Sequence, residues 1–140
     1  KIVNEQGLEL GLADSSTHMV NGVESPKVLI LDPATGTGTF ISALIEKINR
    51  VMINHWKKSG YSNDEIIILW NEYVEDNLVN RIYGFELMMA PYAIANLKVA
   101  LTLSKTGYCG NGLDRFNIIL TNLLTGPKSI SSASNPASCN

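Results

Sequence analysis

Apolar positions along this chain switch between continuous runs and helical spacing, and each switch marks an element. Val28-Leu29-Ile30-Leu31 is a short unbroken apolar run, which predicts a buried strand from Lys27 to Asp32. Ile41, Leu44, Ile45, Ile48, Val51 and Met52 then recur at helical spacing and form one stripe, so a helix follows with that stripe against a sheet. Lys57 to Gly60 breaks it. Ser62 and Glu65 have capping-box spacing for a second helix carrying Ile66, Leu69, Trp70, Tyr73 and Val74, an addition between the first two strands. Arg81 to Glu86 (RIYGFE) reads as the second strand. Pro91 suits the first turn of a helix whose Ile94, Leu97 and Leu101 point inward, and Gly107 ends it. Phe116 to Thr121 (FNIILT) is a third strand, and its weak alternation predicts burial on both faces. Strands separated by helices in this order predict an α/β fold built on a Rossmann-like, doubly wound parallel sheet.

The flanks read differently. Residues 1–27 are mixed and end in a polar loop from Ser15 to Pro26, with Asn21-Gly22 as a turn signal. Beyond Gly126 the chain becomes SISSASNPASCN, which lacks the apolar surface to order itself, so the expected organisation is one domain over 1–125 and a tail over 126–140. A chain of 140 residues with 45% hydrophobic content can bury one core. Its formal net charge of -2 provides no basic footprint for nucleic acid, so any grip on DNA phosphates lies outside the chain or in a local patch.

Cys109 and Cys139 match no metal or redox spacing and fit a reducing cytoplasm. His18 and His55 have no cluster of ligating partners, so no metal is expected. No stretch has the apolar length of a membrane span, and no basic region followed by an apolar run signals secretion. The opening KIVNEQGLELGLAD reads as the interior of a longer polypeptide. Trp56, Trp70 and Tyr73 read as core or interface anchors, Met88-Met89 as packing and Lys57-Lys58 as a solvated helix end.

Candidate chemistry concentrates at the strand ends. Asp32 to Phe40 reads DPATGTGTF, an acidic, glycine-punctuated loop between the first strand and its helix. Gly36 and Gly38 let a ligand approach the main chain and permit positive φ at the turn. Parallel connection places Glu86 beside this loop, and an acidic residue there can accept hydrogen bonds from both hydroxyls of a ribose. Asp32 disfavours a pyrophosphate, because a carboxylate at the mouth repels phosphate and favours a ligand with ammonium and hydroxyl donors. Ile41 stands where GxGxxG would place its third glycine, and no Lys follows the glycines as in a P-loop. S-adenosylmethionine has a sulfonium, an amino group and a ribose, and no phosphate.

LDPATGTGTF resembles motif I of the S-adenosylmethionine-dependent DNA adenine-N6 methyltransferases. IYGFELMMAPYAIANLKVAL is similar to the next segment in the large single-polypeptide, Type I-like restriction-modification enzymes of that family. GLAD at Gly11 to Asp14 and LTN at Leu120 to Asn122 match the pattern as well, so the resemblance spans about residues 7–124. It implies an incomplete class I methyltransferase core that binds S-adenosylmethionine. Asp32, Pro33, Ala34, Thr35, Gly36, Thr37 and Gly38 would wrap the methionine part, with Phe40 packing nearby. Glu86 would hold the ribose hydroxyls, Leu87 or Met88 would cover a face of the adenine, and Asn122 would lie beside the adenine unless it only caps the strand end.

The family's catalytic tetrapeptide, Asn or Asp followed by Pro-Pro and an aromatic, has no counterpart. Asn135-Pro136-Ala137-Ser138 lacks the second proline and the aromatic. No catalytic residue is therefore assigned, and DNA is expected to be engaged by the rest of the parent protein. The family segment that closes over the cofactor would precede Lys1, and its absence would expose apolar surface and promote self-association. Other readings are a methyltransferase of RNA, protein or small molecules, a nicotinamide- or flavin-binding oxidoreductase domain, and a scaffold that keeps the fold without the ligand.

Overall fold

A computed structural model describes residues 8–110 and 116–121. After a short 3-10 turn at Gly11–Ala13 come strands β1 (Thr17–Val20) and β2 (Val23–Pro26), then β3 (Ile30–Asp32), helices α1 (Thr39–Lys58) and α2 (Asn63–Tyr73), and a π-helical turn at Val74–Leu78. Strand β4 (Ile82–Glu86), helix α3 (Met89–Lys105) and strand β5 (Asn117–Leu120) complete the described chain. The architecture is mixed α/β. Strands β3, β4 and β5 form a parallel sheet in that spatial order, with Asp32 opposite Gly84 and Glu86 opposite Leu120.

The segment expected as a loop from Ser15 to Pro26 is instead an antiparallel hairpin, β1 with β2, in which Thr17 faces Pro26 and Val20 faces Val23. Its turn is the predicted Asn21-Gly22, with both residues at positive φ (51° and 81°), the geometry that matches the twist of paired strands. The hairpin escapes a hydrophobic reading because it buries almost nothing; its side chains are exposed or half-exposed.

Helix α1 buries Ile41, Leu44, Ile45, Ile48 and Met52 as its stripe predicts, while Val51 lies at the margin of the core. It ends at Gly60 (φ 90°), where Gly60 N–H donates to Lys57 O and Tyr61 N–H to Trp56 O, so the last carbonyls are satisfied by a left-handed cap. The capping box of α2 forms as expected: Ser62 N–H donates to Glu65 Oε2 at 2.8 Å, and Glu65 N–H donates to Ser62 Oγ at 3.4 Å. Trp56, Trp70 and Tyr73 are core residues, with the Trp70 and Tyr73 rings stacked at 5.8 Å. Trp70 Nε1 donates to Thr106 Oγ1 and Asn71 Nδ2 to Gly107 O, tying α2 to the end of α3.

The inward face of α3 is the main correction. Ile94, Leu97 and Leu101 are 49, 61 and 53% exposed, whereas Ala95, Val99, Thr102 and Leu103 are buried. The cause lies in another element. Gly38 is packed so closely on α3 that a Cβ there would stand 3.0 Å from Ala95 Cα, so the helix must present its smallest residue to the loop. Apolar residues on both sides of α3 hide this choice from the sequence.

The described helices cover one face of the sheet. Ile82, Gly84 and Ile118 on that face are buried, while Leu29 and Leu31 on the other are exposed, as is Ile119, and Tyr83 and Phe85 are half-buried. The expected burial of the third strand on both faces therefore fails: of Asn117–Leu120 only Ile118 is buried. Both faces of a fully parallel sheet are ordinarily covered, so this open face is an unusual surface. The 126–140 tail and the Asn135-Pro136-Ala137-Ser138 string lie outside the described residues.

A buried arginine locks the amino-terminal segment to this framework. Arg81, 2% exposed, donates through Nη1 to Asp14 O, through Nη2 to Tyr73 Oη, and through Nε to Asn77 O at 3.3 Å. Tyr73 Oη donates in turn to Ala13 O at 2.7 Å. Burial pushes the Tyr73 phenol up from its ordinary value, which keeps that donor protonated. The Asp14 carboxylate turns away to accept Ser16 N–H, and the Ser16 hydroxyl is the largest cause of its lowered pKa.

Candidate functional site

The glycine loop is built from successive turns anchored on β4. Asp32 Oδ1 accepts Ala34 N–H at 3.2 Å, an Asx turn that carries the chain over the end of β3. Thr35 N–H donates to Phe85 O at 2.9 Å, and Gly38 N–H donates back to Thr35 O at 2.9 Å. Gly36 and Gly38 both have positive φ, 55° and 74°, and Gly38 is the left-handed N-cap of α1. A Cβ on Gly36 would meet only Ala34 O, at 4.0 Å, so the space in front of the main chain there is open.

Glu86 lies against this loop, as the strand order requires. Its Oε2 accepts Gly36 N–H at 2.7 Å, and its Oε1 accepts Leu87 N–H and Met88 N–H, both at 2.9 Å. The Met88 N–H, followed by those of Gly36 and Leu87, holds the carboxyl below its ordinary range against the opposing effect of desolvation. Glu86 is therefore an ionised acceptor at neutral pH. The second oxygen of Asp32 has no partner among the described residues, so two carboxylates with spare acceptor capacity bracket the loop.

The remaining predicted residues separate into groups. Pro33, Ala34 and Thr37 are exposed along the loop, and Phe40, Leu87 and Met88 are exposed apolar side chains at its flanks. Thr35 is buried, and its hydroxyl donates to Asp32 O at 3.3 Å beneath the loop. Asn122 lies outside the described residues.

Two site features escape motif reading. Gly84 lies under the loop, where a Cβ would come within 2.5 Å of Thr35 Oγ1 and 2.9 Å of Ile41 Cδ1, so its absence of a side chain lets the loop sit down on β4. A glycine inside a strand is the available sequence signal for such close approach. Lys98, on α3, donates from Nζ to Thr39 Oγ1 at 2.7 Å and brings a cation to the start of α1; nothing in its spacing marks it.

Away from the loop, an apolar cleft of about 230 Å³ lies between Leu10–Ala13 and the Lys47, Ile48 and Val51 flank of α1. Its lining is mainly apolar, in contrast to the acceptor-rich loop. Cys109 is exposed and free, and His18 and His55 are exposed. Among the described residues, no three His, Cys, Asp or Glu side chains converge, and no helix is long and apolar enough to cross a membrane. The chain matches no protein-family model, no curated protein and no solved structure.

Proposed function

We propose that this chain is the S-adenosylmethionine-binding part of a cytoplasmic DNA adenine-N6 methyltransferase from a restriction-modification system. The observation that carries this reading is the meeting of Glu86 and Gly36, at 2.7 Å, where the adjacent parallel strands β3 and β4 end. Open α/β sheets bind ligands outside the carboxyl ends of their strands. Here that crevice is acceptor-rich, with the side-chain oxygens of Asp32 and Glu86 around an open glycine main chain, which suits a ligand bringing ammonium and hydroxyl donors and disfavours a pyrophosphate.

The residues fit the group. Asp32 and the loop through Gly38 would hold the amino-acid portion with Phe40 packing nearby, Glu86 would accept from the ribose, and Leu87 or Met88 would cover a face of the adenine. Asn122 would stand beside that adenine. When bound, S-adenosylmethionine supplies an electrophilic methyl group for transfer to the adenine amino group of DNA. The chain's own residues bind and orient. The (Asn or Asp)-Pro-Pro-aromatic element, which positions a flipped adenine, is not in this sequence. The chain alone therefore binds cofactor without turnover, and DNA contacts belong to the rest of the parent protein.

The test is calorimetric titration of the chain with S-adenosylmethionine and S-adenosylhomocysteine, with a dinucleotide as competitor and Glu86→Ala as control. Binding that the dinucleotide does not displace and the substitution abolishes is the expected result. A folded chain that prefers the dinucleotide would move the assignment to an oxidoreductase domain. A second reading, a scaffold without ligand, draws on the three N–H groups that Glu86 already satisfies. It predicts that Glu86→Ala changes stability while neither chain binds a nucleoside.

A further inference from the structure

Glu86 is nearly saturated. A carboxylate offers about four lone-pair positions, and here Oε1 is filled by Leu87 and Met88 N–H while Oε2 accepts Gly36 N–H, leaving one position on Oε2. A ribose brings two vicinal hydroxyl donors. Accepting both requires that one N–H be given up, and the three are not equivalent. Leu87 and Met88 follow Glu86 directly, so their bonds are local to the strand-to-helix junction. Gly36 comes from a segment 50 residues away and is held to Glu86 by this one bond.

The loop is also built to yield at that point. Thr35 is anchored through its N–H to Phe85 O, and Gly38 is wedged against Ala95, so both ends are fixed. Between them a Cβ on Gly36 would meet no side chain within 4 Å, and among the described residues the Thr37 hydroxyl makes one contact, with Thr39 Oγ1 at 3.4 Å. We infer that Glu86 is a latch on the glycine loop: it holds Gly36 in the free chain, and a vicinal diol displaces the Gly36 N–H from Oε2 and frees the loop at Gly36–Thr37. The inference rests on the reading of Glu86 as the ribose acceptor. Loss of this bond couples diol capture to the arrangement of the loop. A nucleoside that lacks one of the two vicinal ribose hydroxyls uses the one open position and leaves the latch shut.

Amide resonances of the isotopically labelled full chain report this directly. The probes are S-adenosylhomocysteine and adenosine, which carry the diol, and 2′-deoxyadenosine and 3′-deoxyadenosine, which do not. Saturation with a diol ligand is expected to move the Gly36 amide proton upfield and raise its solvent exchange by at least about tenfold, the loss of one charge-assisted bond. Leu87 and Met88 amides keep their bonded shifts throughout, and the deoxynucleosides leave Gly36 in place. In the ligand-free Glu86→Gln chain, Gly36 is expected at the released position. Diol binding with an unmoved Gly36 overturns the latch and leaves the ribose reading standing, as does release by the deoxynucleosides. Failure of a folded chain to bind either diol ligand overturns the ribose reading and the latch together.

Discussion

Gly84→Ala probes how the candidate loop is seated. The added Cβ would stand 2.5 Å from Thr35 Oγ1, 3.4 Å from Thr35 Cγ2 and 2.9 Å from Ile41 Cδ1. The Ile41 contact is with the end of a flexible side chain and can relax. Thr35 has less freedom, since its N–H is bonded to Phe85 O at 2.9 Å and its hydroxyl to Asp32 O at 3.3 Å. Admitting the methyl therefore means rotating Thr35 and breaking the hydroxyl bond, or lifting the loop from β4. Overpacking of this kind costs about 1–3 kcal/mol, offset in part by about 0.4–1 kcal/mol from the lower unfolded-state entropy of alanine. A net loss of roughly 1–2 kcal/mol is expected from these terms. It should appear in urea denaturation as a lower midpoint at unchanged slope. Thr35→Ala removes both near atoms, so in a double-mutant cycle the pair should be coupled by about 1 kcal/mol in the favourable direction. A Gly84→Ala chain as stable as its parent, or effects that add within roughly 0.3 kcal/mol, would refute the packing argument.

The other predictions concern the clamp, the carboxylate and the open sheet face. Arg81→Met removes three hydrogen bonds of a buried guanidinium and should cost about 3 kcal/mol in denaturant unfolding, with Arg81→Lys recovering less than half because an ammonium cannot span Asp14, Tyr73 and Asn77 together; a loss below about 1 kcal/mol would show that the network is not holding the segment. The Glu86 carboxyl is held below its ordinary range, so its hold on Gly36 should be complete above the unfolded-state pKa and fade as pH falls through the folded value. An NMR titration that places Glu86 at or above the usual glutamate range would contradict this. The open sheet face, with Leu31 54% exposed beside exposed Leu29 and Ile119, should drive self-association that rises with concentration in sedimentation experiments and is suppressed by Leu31→Lys. Concentration-independent monomer would count against it.

Sequence alone determined whatever depends on local chemistry. The capping box at Ser62 and Glu65, the Asn21-Gly22 turn, the glycine stops at Gly60 and Gly107 and the burial stripe of α1 each follow from residues within a few positions of one another, and each forms. The approach of Glu86 to the glycine loop was legible too, because strands joined by helices run parallel and bring their carboxyl ends together. Only the tertiary structure decided the rest. Which apolar side of α3 faces inward depends on Gly38 reaching Ala95, a contact between residues far apart in the chain that no periodicity encodes. Thr35 turns under the loop because Gly84, on another strand, leaves it room. The Arg81 clamp joins Tyr73 and Asn77, on the helical stretch just before it, to Asp14, 67 residues away in the chain, and one of its acceptors is a side-chain oxygen while two are backbone carbonyls, whose availability depends on the fold. Local rules act through neighbours along the chain, whereas close packing and buried hydrogen bonding select partners by distance in space.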